Sequence, residues 1–286
     1  MDMCIKLIVH ILFYLNLLNK ERREMNILYY DLIDNKKKEY IVLLHGYGGN
    51  SKCFKKQLSS LSKFFNILLI DMHGHGKSSH IPLNITEGEI LKNVTKDINK
   101  IILSLGIKKA HFMGLSLGTI VVNAYALYYP NNVLSIVNAG AVIKFKSTTR
   151  CLLKTLYKCK SVIPRNVVYP LAGRIIMPQK SHKISRNLFI RESKKMNKDD
   201  FYNWAKVLIY FQTSYYFNNP NINTIYISGE DDYFFINEVK DYCAKENIRF
   251  YQIKSAGHIC NIDNHEEFNS LIENFYLNLI KRVDVA

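Results

Sequence analysis

Short apolar runs alternate with longer amphipathic stretches over most of the chain. The apolar runs predict β-strands, because a strand covered on both faces of a sheet is apolar at consecutive positions. Stretches with apolar residues three or four positions apart predict helices. The strands are expected at Tyr40–Gly46, Phe65–Asp71, Lys109–Leu115, Val133–Ala139, Thr224–Ser228 and Arg249–Lys254, and the helices at Asn50–Lys63, Glu87–Leu105, Leu117–Tyr129, Ile236–Glu246 and Glu266–Lys281. This alternation predicts an α/β protein with a mostly parallel sheet and helices on both faces.

The strand pattern is interrupted between residues 141 and 217, where amphipathic stretches such as Cys151–Lys160 and Phe201–Phe211 predict helices. Because strands precede and follow this interval, it is predicted to be a helical insertion. The predicted core is residues 25–140 together with 218–286, and residues 141–217 form the insertion.

Residues 1–24 form an apolar extension ahead of the predicted core. Ile5–Leu18 is interrupted by Lys6, His10 and Asn16, and it is shorter than the roughly 20 residues needed to span a bilayer. Three interpretations stay open: an amphipathic surface helix, a weak membrane anchor, or a translation start at Met25. A strand-like pattern begins directly after Met25 and favours the third.

The composition is that of a globular protein, and the charge is concentrated in the insertion. Of 286 residues 48% are hydrophobic, which is enough for a core and excludes a disordered chain. The formal net charge is +15, and residues 141–200 hold 15 Lys and Arg against 3 acidic residues. This segment is either a solvated face or one that attracts an anionic substrate or an anionic membrane surface. No zinc-finger, RNP or helix-turn-helix pattern accompanies the charge, so nucleic acid is not expected as a partner.

The six cysteines form no C-x-x-C pair and no spacing typical of a disulfide framework. A chain of this length has a core large enough to fold without disulfides. We therefore expect free thiols and a cytoplasmic location, with membrane association left open.

Gly114–Gly118 has the pattern G-x-S-x-G and lies where the third predicted strand meets a helix. In such an elbow the serine occupies a strained turn, and the glycines allow the neighbouring backbone to approach closely. The turn holds the hydroxyl at a helix N-terminus, where the dipole favours developing negative charge. Ser116 is therefore the candidate nucleophile, although a glycine-flanked turn without catalytic function has the same five-residue pattern.

A serine hydroxyl needs a base, and the base needs an orienting group. His258 follows the last predicted strand, which puts it at the same carboxyl edge of the sheet as Ser116. Asp231 and Asp232 follow the penultimate predicted strand. Either acid gives the chain order Ser, Asp, His, which is one of the known orders of the triad. The residues alone leave both acids open.

An acyl-transfer site also needs donors for the oxyanion. His45–Gly49 follows the first long predicted strand, and its glycines allow the main chain to present an N–H group, expected to be that of Tyr47. The second donor is expected to be the N–H of Leu117, the residue after the candidate nucleophile.

Taken together, these segments resemble the α/β-hydrolase fold family, in particular esterase-like proteins with an H-G-x-G-G loop. The resemblance covers about Ile27–Lys281 and depends on five segments in this order: His45–Gly49, Asp71–Ser78, Gly114–Gly118, Gly229–Asp232 and Ala256–His258. It implies that Asp232 rather than Asp231 is the acid, and that the insertion is a helical lid over the active site. It also implies a sheet of seven or eight strands, because the stretch before Tyr40 is short for the family's full set of leading strands. The chain departs from the pattern at Thr119, where glycine is common, and at His73, where Arg or Pro is usual.

A metal pair is the alternative for Asp71–His75, because His73 and His75 are alternate residues and share a face in an extended segment. No further histidine cluster completes such a site. We therefore expect no metal ion and no cofactor.

The leading hypothesis is a serine esterase that cleaves a carboxylic ester or thioester through an acyl-enzyme intermediate. The basic insertion and its apolar clusters suggest a lipid-like or amphiphilic substrate with an anionic head group. Two alternatives stay open. One is an aminopeptidase or carbon–carbon bond hydrolase of the same fold, and the other is a signalling protein that binds a ligand with a slow or silent triad.

Overall fold

A computed structural model describes residues 27–85, 89–162, 165–211 and 219–283 of the chain. Its described residues form one seven-stranded sheet with the spatial order β1-β3-β2-β4-β5-β6-β7. The strands are β1 Tyr30–Ile33, β2 Glu39–Leu44, β3 Phe65–Ile70, β4 Ala110–Leu115, β5 Val133–Ala139, β6 Asn223–Gly229 and β7 Arg249–Ile253. Only β1 is antiparallel to its neighbour, β3, and the other pairs are parallel. The predicted α/β class and mostly parallel sheet are therefore confirmed, with seven strands.

Helices cover both faces of the sheet, and the central strands β3 and β4 are buried at every position. In β2, Val42 and Leu44 pack into one core and Ile41 and Leu43 into the other. The core helices are α1 Leu58–Leu61, α2 Ile90–Ser104, α3 Leu117–Tyr128, α8 Ile236–Lys245, α9 Cys260–Asp263 and α10 His265–Val283. Helices α2, α3 and α8 pack on the first core, and α10 packs on the second.

The helix predicted over Asn50–Lys63 is wrong, because this segment forms a short 3₁₀ turn and the four-residue helix α1. Asn50 does act as the N-cap, since its side chain accepts a hydrogen bond from the Lys52 N–H at 3.1 Å. The Ser51 N–H donates to Asp71 at 2.7 Å, and the buried Gln57 side chain donates to the Asn261 carbonyl at 2.7 Å. These hydrogen bonds to distant segments fix the backbone of this segment in a shape other than one continuous helix, and the local spacing of apolar residues does not indicate it.

The described residues between β5 and β6 form four further helices, in the interval where the sequence predicts the insertion. They are α4 Ser147–Lys158, α5 Arg165–Ile176, α6 Lys183–Ser193 and α7 Lys198–Tyr210, and we call them the lid. Buried polar bonds join the lid to the core: the Trp204 indole donates to the His73 carbonyl at 2.8 Å, and Asp200 accepts from the Leu83 N–H at 2.7 Å. The domain boundaries and the extension at residues 1–24 stay predictions, and the extension lies outside the described residues.

Candidate active site

Ser116 lies at the turn between β4 and α3 with φ 52° and ψ −114°, a conformation that non-glycine residues rarely adopt. The flanking glycines make this turn feasible. A Cβ at Gly118 would collide with the Leu44 carbonyl oxygen of β2, and one at Gly114 would collide with the backbone of Gly118. The hydroxyl is therefore held at the start of α3, at the carboxyl edge of the sheet.

Ser116, His258 and Asp232 form a continuous hydrogen-bonded chain. His258 Nε2 lies 2.8 Å from Ser116 Oγ, and His258 Nδ1 lies 2.9 Å from Asp232 Oδ2. The histidine is 3% exposed and the aspartate is fully buried, and the Phe235 ring packs against the imidazole with 4.9 Å between ring centroids. Because an ionised carboxylate only accepts hydrogen bonds, Nδ1 holds the proton and Nε2 is left to accept from the serine hydroxyl.

The two neighbouring acids have different partners. Asp232 contacts the imidazole of His258, whereas Asp231 accepts from the Tyr233 hydroxyl at 2.7 Å. Asp231 also lies 3.4 Å from Nε2 of His182, a fully buried side chain at the start of lid helix α6. The two acids therefore differ in position: Asp232 faces the imidazole of His258, and Asp231 faces the lid.

The loops after β5, β6 and β7 converge behind this chain because glycine leaves room for their backbones. A Cβ at Gly140 would collide with the His258 carbonyl oxygen, and a Cβ at Gly229 would collide with the Ala256 carbonyl oxygen. The loop before His258 is also tied by Asp263, which accepts from the Gly257 N–H at 3.0 Å. The backbone that presents the imidazole is thus fixed on two sides.

The His45–Gly49 loop lies directly against Ser116. A Cβ at Gly46 would be 3.2 Å from the Ser116 Cβ, and Gly46 and Tyr47 line the same cavity as Ser116. Leu117 is the first residue of α3, so its N–H has no acceptor within the helix. The structure places both segments beside the serine, and Tyr47 and Leu117 stay the predicted oxyanion donors.

Two lid residues form hydrogen bonds with Tyr47, one with its side-chain hydroxyl and one with its main-chain carbonyl. The Tyr47 hydroxyl donates to the Phe201 carbonyl of α7 at 2.7 Å, and the Tyr47 carbonyl accepts from the Tyr169 hydroxyl of α5. Tyr169 is 4% exposed and stacks on Phe189 of α6 with 4.3 Å between ring centroids. The loop beside the nucleophile is therefore positioned by two lid residues, Tyr169 and Phe201, neither of which belongs to a recognisable sequence motif.

The segment considered as a metal pair has other partners. Asp71 accepts from the Ser51 N–H at 2.7 Å and the Lys77 N–H at 2.8 Å, and the His73 ring lies 3.1 Å from Asp97. His75 bonds the His73 carbonyl at 2.9 Å through Nδ1 and accepts from the Gly48 N–H at 2.9 Å through Nε2. Within the described ranges, no three His, Cys, Asp or Glu side chains are grouped to hold a metal ion.

His75 and its neighbour His45 are both uncharged, and both form hydrogen bonds between the loops after β2 and β3. Burial lowers the pKa of His45, and it lowers the pKa of His75 well below its ordinary value. His45 Nε2 accepts from the Met72 N–H at 3.0 Å, as His75 Nε2 does from Gly48, and a protonated ring cannot accept such a bond. Both histidines therefore join the loops after β2 and β3 only in their uncharged form.

Acidification is expected to destabilise the fold through these two histidines. Their pKa values are lower in the folded protein than the unfolded value of 6.5, so the unfolded chain binds protons first as the pH falls. Their contribution is complete above about pH 6.5 and declines below it, by up to about 1.4 kcal/mol per pH unit for each histidine. Urea unfolding of wild type and His75→Gln at about pH 7.5 and about pH 5.5 measures this, since glutamine offers a donor and an acceptor without titrating. Equal pH dependence in the two proteins would contradict a contribution from His75.

A small cavity of about 40 Å³ opens beside Ser116 and His258. Most of its other lining residues are apolar, and three lining residues belong to lid helix α6: Leu188, Phe189 and Glu192. The Glu192 carboxylate accepts from Asn50 at 2.8 Å, Arg191 at 2.8 Å and Lys195 at 2.6 Å. Burial acts to raise the pKa of Glu192, but the hydrogen bonds from Lys195 and Arg191 outweigh it and hold the pKa below its ordinary value. Glu192 is therefore an anion at the cavity wall at neutral pH.

Comparisons with known proteins agree with this architecture. Residues 39–165 match the family described as alpha/beta hydrolase fold. The esterase from Exiguobacterium antarcticum superposes with a TM-score of 0.73 at 20% identity, covering 87% of this chain and 94% of that one. The chain therefore has the α/β-hydrolase fold.

Two curated relatives are similar to part of the chain. The pimeloyl-[acyl-carrier protein] methyl ester esterase of Proteus mirabilis is 32% identical over 117 residues, which cover 41% of each protein. The 2-hydroxy-6-oxononadienedioate/2-hydroxy-6-oxononatrienedioate hydrolase of Paraburkholderia phymatum is 33% identical over 107 residues, which cover 36% of each. The chain thus matches less than half of the length of either relative.

Proposed function

We propose that the protein is a serine hydrolase that cleaves a carboxylic ester or thioester. The observation that carries the proposal is the chain of hydrogen bonds, 2.8 Å and 2.9 Å long, from the strained Ser116 through His258 to Asp232. The similarity to an esterase in sequence and to another in structure supports the same reaction class.

In the proposed reaction, Ser116 Oγ attacks the substrate carbonyl while His258 Nε2 takes the hydroxyl proton. Asp232 holds the proton on Nδ1 and stabilises the imidazolium that forms. The N–H groups of Tyr47 and Leu117 bind the oxyanion at the N-terminus of α3. His258 then protonates the leaving alcohol or thiol, and water repeats the sequence to release the acid.

The cavity favours a short, uncharged acyl group. Its small volume and mostly apolar wall suit an alkyl chain of a few carbons, and the Glu192 carboxylate would repel an acyl group that ends in a carboxylate. Nine of the Lys and Arg side chains of residues 141–191 are exposed, and none of these nine lines the cavity, so we assign an anionic part of an amphiphilic substrate to the leaving group. The proposed substrate is thus an ester with a short neutral acyl chain.

A matched pair of p-nitrophenyl esters tests this preference. Butanoate and hemisuccinate have the same chain length, and only the hemisuccinate ends in a carboxylate. We expect wild type to favour the butanoate by at least about tenfold in kcat/KM, and Glu192→Gln to reduce this ratio by removing the repulsion. Glu273→Gln is the control, because Glu273 also pairs with a lysine, Lys63 at 2.7 Å, but does not line the cavity. A ratio unchanged by Glu192→Gln, or faster cleavage of long acyl chains, would refute the substrate assignment.

A wider panel of substrates distinguishes the esterase proposal from the other activities considered for this fold. The similarity to a hydrolase of 2-hydroxy-6-oxononadienedioate makes that type of substrate worth including beside aminoacyl amides and the esters. Labelling of Ser116 by a fluorophosphonate without turnover of any of them would instead favour a ligand-binding protein with a silent triad. Turnover of esters alone would support the esterase proposal.

A further inference from the structure

The lid has an unusually uniform charge. Residues 141–191 contain 12 Lys and Arg and no Asp or Glu. Nine of these cations are exposed in the structure: Lys144, Lys146, Lys154, Lys158, Lys160, Arg174, Lys180, Lys183 and Arg191. Within the ranges that the structure describes, Arg191 is the one of these nine that pairs with a carboxylate, that of Glu192. We call these nine side chains the cationic face of the lid, and the acidic lid residues Glu192, Asp199 and Asp200 come after them in the sequence.

The same helices expose apolar side chains. Six large aliphatic residues of the lid and its connections are exposed in the described chain: Leu152, Val162, Val167, Leu171, Ile175 and Ile184. Three of them follow one another at intervals of four along α5, with exposures of 54%, 55% and 49%. Residues at this spacing lie on one side of a helix, so α5 presents an aliphatic stripe to solvent, with the exposed Arg174 beside it.

We propose that this face of the lid binds the surface of an anionic phospholipid bilayer. Each Lys or Arg near such a surface is attracted by its negative potential, and aliphatic side chains gain by entering the boundary between head groups and acyl chains. Cations interspersed with exposed aliphatic residues match both parts of that surface. A nucleic acid would use the cations but offers nothing to the aliphatic stripe, which favours the bilayer as the partner.

The binding face is continuous with the candidate active site through α6. This helix exposes Lys183 and Ile184 to solvent, while Phe189 and Glu192 line the cavity beside Ser116. Among the described residues, none of the helices has the length and hydropathy needed to span a bilayer. A protein bound in this way would have its cavity close to amphiphilic esters. This consequence rests on the proposed hydrolase function, whereas the binding itself does not.

Sedimentation with vesicles tests the inference on the full chain. We expect strong binding to phosphatidylcholine vesicles containing about 30% phosphatidylglycerol, weak binding to pure phosphatidylcholine, and release at about 0.5 M salt. Leu171→Ser with Ile175→Ser, and separately Lys180→Glu with Lys183→Glu, should each weaken binding by about tenfold or more. Ser116→Ala should bind like wild type, so that binding is measured independently of any turnover.

Matched controls lie on the core. Leu103→Ser with Leu277→Ser removes aliphatic side chains that are 58% and 44% exposed, and Lys108→Glu with Lys109→Glu reverses two exposed charges ahead of β4. Both double variants should bind vesicles within about twofold of wild type. The inference is overturned if neutral and anionic vesicles bind alike, if the core variants lose as much binding as the lid variants, or if RNA binds the lid and the vesicles do not.

Discussion

Replacing Ser116 with alanine is expected to lower kcat for ester cleavage by roughly 10⁴- to 10⁶-fold. The alanine removes the oxygen that lies 2.8 Å from His258 Nε2, and no other hydroxyl group lines the cavity within hydrogen-bond reach of this imidazole among the described residues. The measurement is kcat for p-nitrophenyl butanoate in wild type and Ser116→Ala, together with labelling of both proteins by a fluorophosphonate.

Ser255→Ala provides the control for this substitution. Ser255 also adopts a positive φ, 51°, at the same edge of the sheet, but its exposed side chain is not part of the chain of hydrogen bonds. We expect its kcat to stay within about threefold of wild type. If Ser116→Ala were correctly folded and kept a tenth or more of the wild-type kcat, a serine nucleophile at this position would be excluded.

Replacing Asp232 with asparagine is expected to lower kcat by about 10⁴-fold, with little change in the fold. The asparagine side chain is neutral and can donate a hydrogen bond to Nδ1, which favours the imidazole tautomer protonated at Nε2. That tautomer cannot accept the proton of the Ser116 hydroxyl. Steady-state kinetics across a pH series, with circular dichroism to verify folding, measures the effect.

Asp231→Asn is the matched partner of this variant, since it makes the same chemical change at the adjacent residue. Asp231 contacts Tyr233 and His182 rather than the catalytic imidazole, so its kcat should remain within about threefold of wild type. If kcat fell equally in the two variants, the assignment of Asp232 as the acid that orients His258 would be contradicted. If kcat fell further in Asp231→Asn than in Asp232→Asn, Asp231 would be the acid instead.

The fold was largely predictable because its signals are local. Parallel strands that are buried on both faces are apolar at most positions, so β2, β3 and β4 are visible as mainly apolar runs even though Asn66 and His111 lie within β3 and β4. The candidate site followed from the same pattern, since residues directly after parallel strands meet at one edge of the sheet. Ser116, Asp232 and His258 each follow such a strand. The strand β1 was predicted only as a pattern after Met25, because its short sequence is half-buried and lacks a continuous apolar run.

The features that escaped prediction depend on contacts between distant segments. The residues alone left Asp231 and Asp232 open, because the two are adjacent and chemically identical. The family resemblance implied Asp232, and it is the folded structure that gives the two acids different partners. Glu192 and Tyr169 belong to lid helices whose packing on the core follows no motif. The broken helix after Asn50 has the same origin, because bonds to Asp71 and to the last segment of the chain override its local helical spacing.

The two bonds that join Tyr47 to the lid have a consequence for turnover. A lid that moves away far enough to admit a substrate must break the bonds to Phe201 and Tyr169, which frees the loop that the proposal assigns to the oxyanion. Entry and reaction are then successive states of the protein rather than simultaneous ones. An open molecule would be a poor catalyst even with serine, histidine and aspartate in place, and seating the lid would complete the site only after the substrate is enclosed.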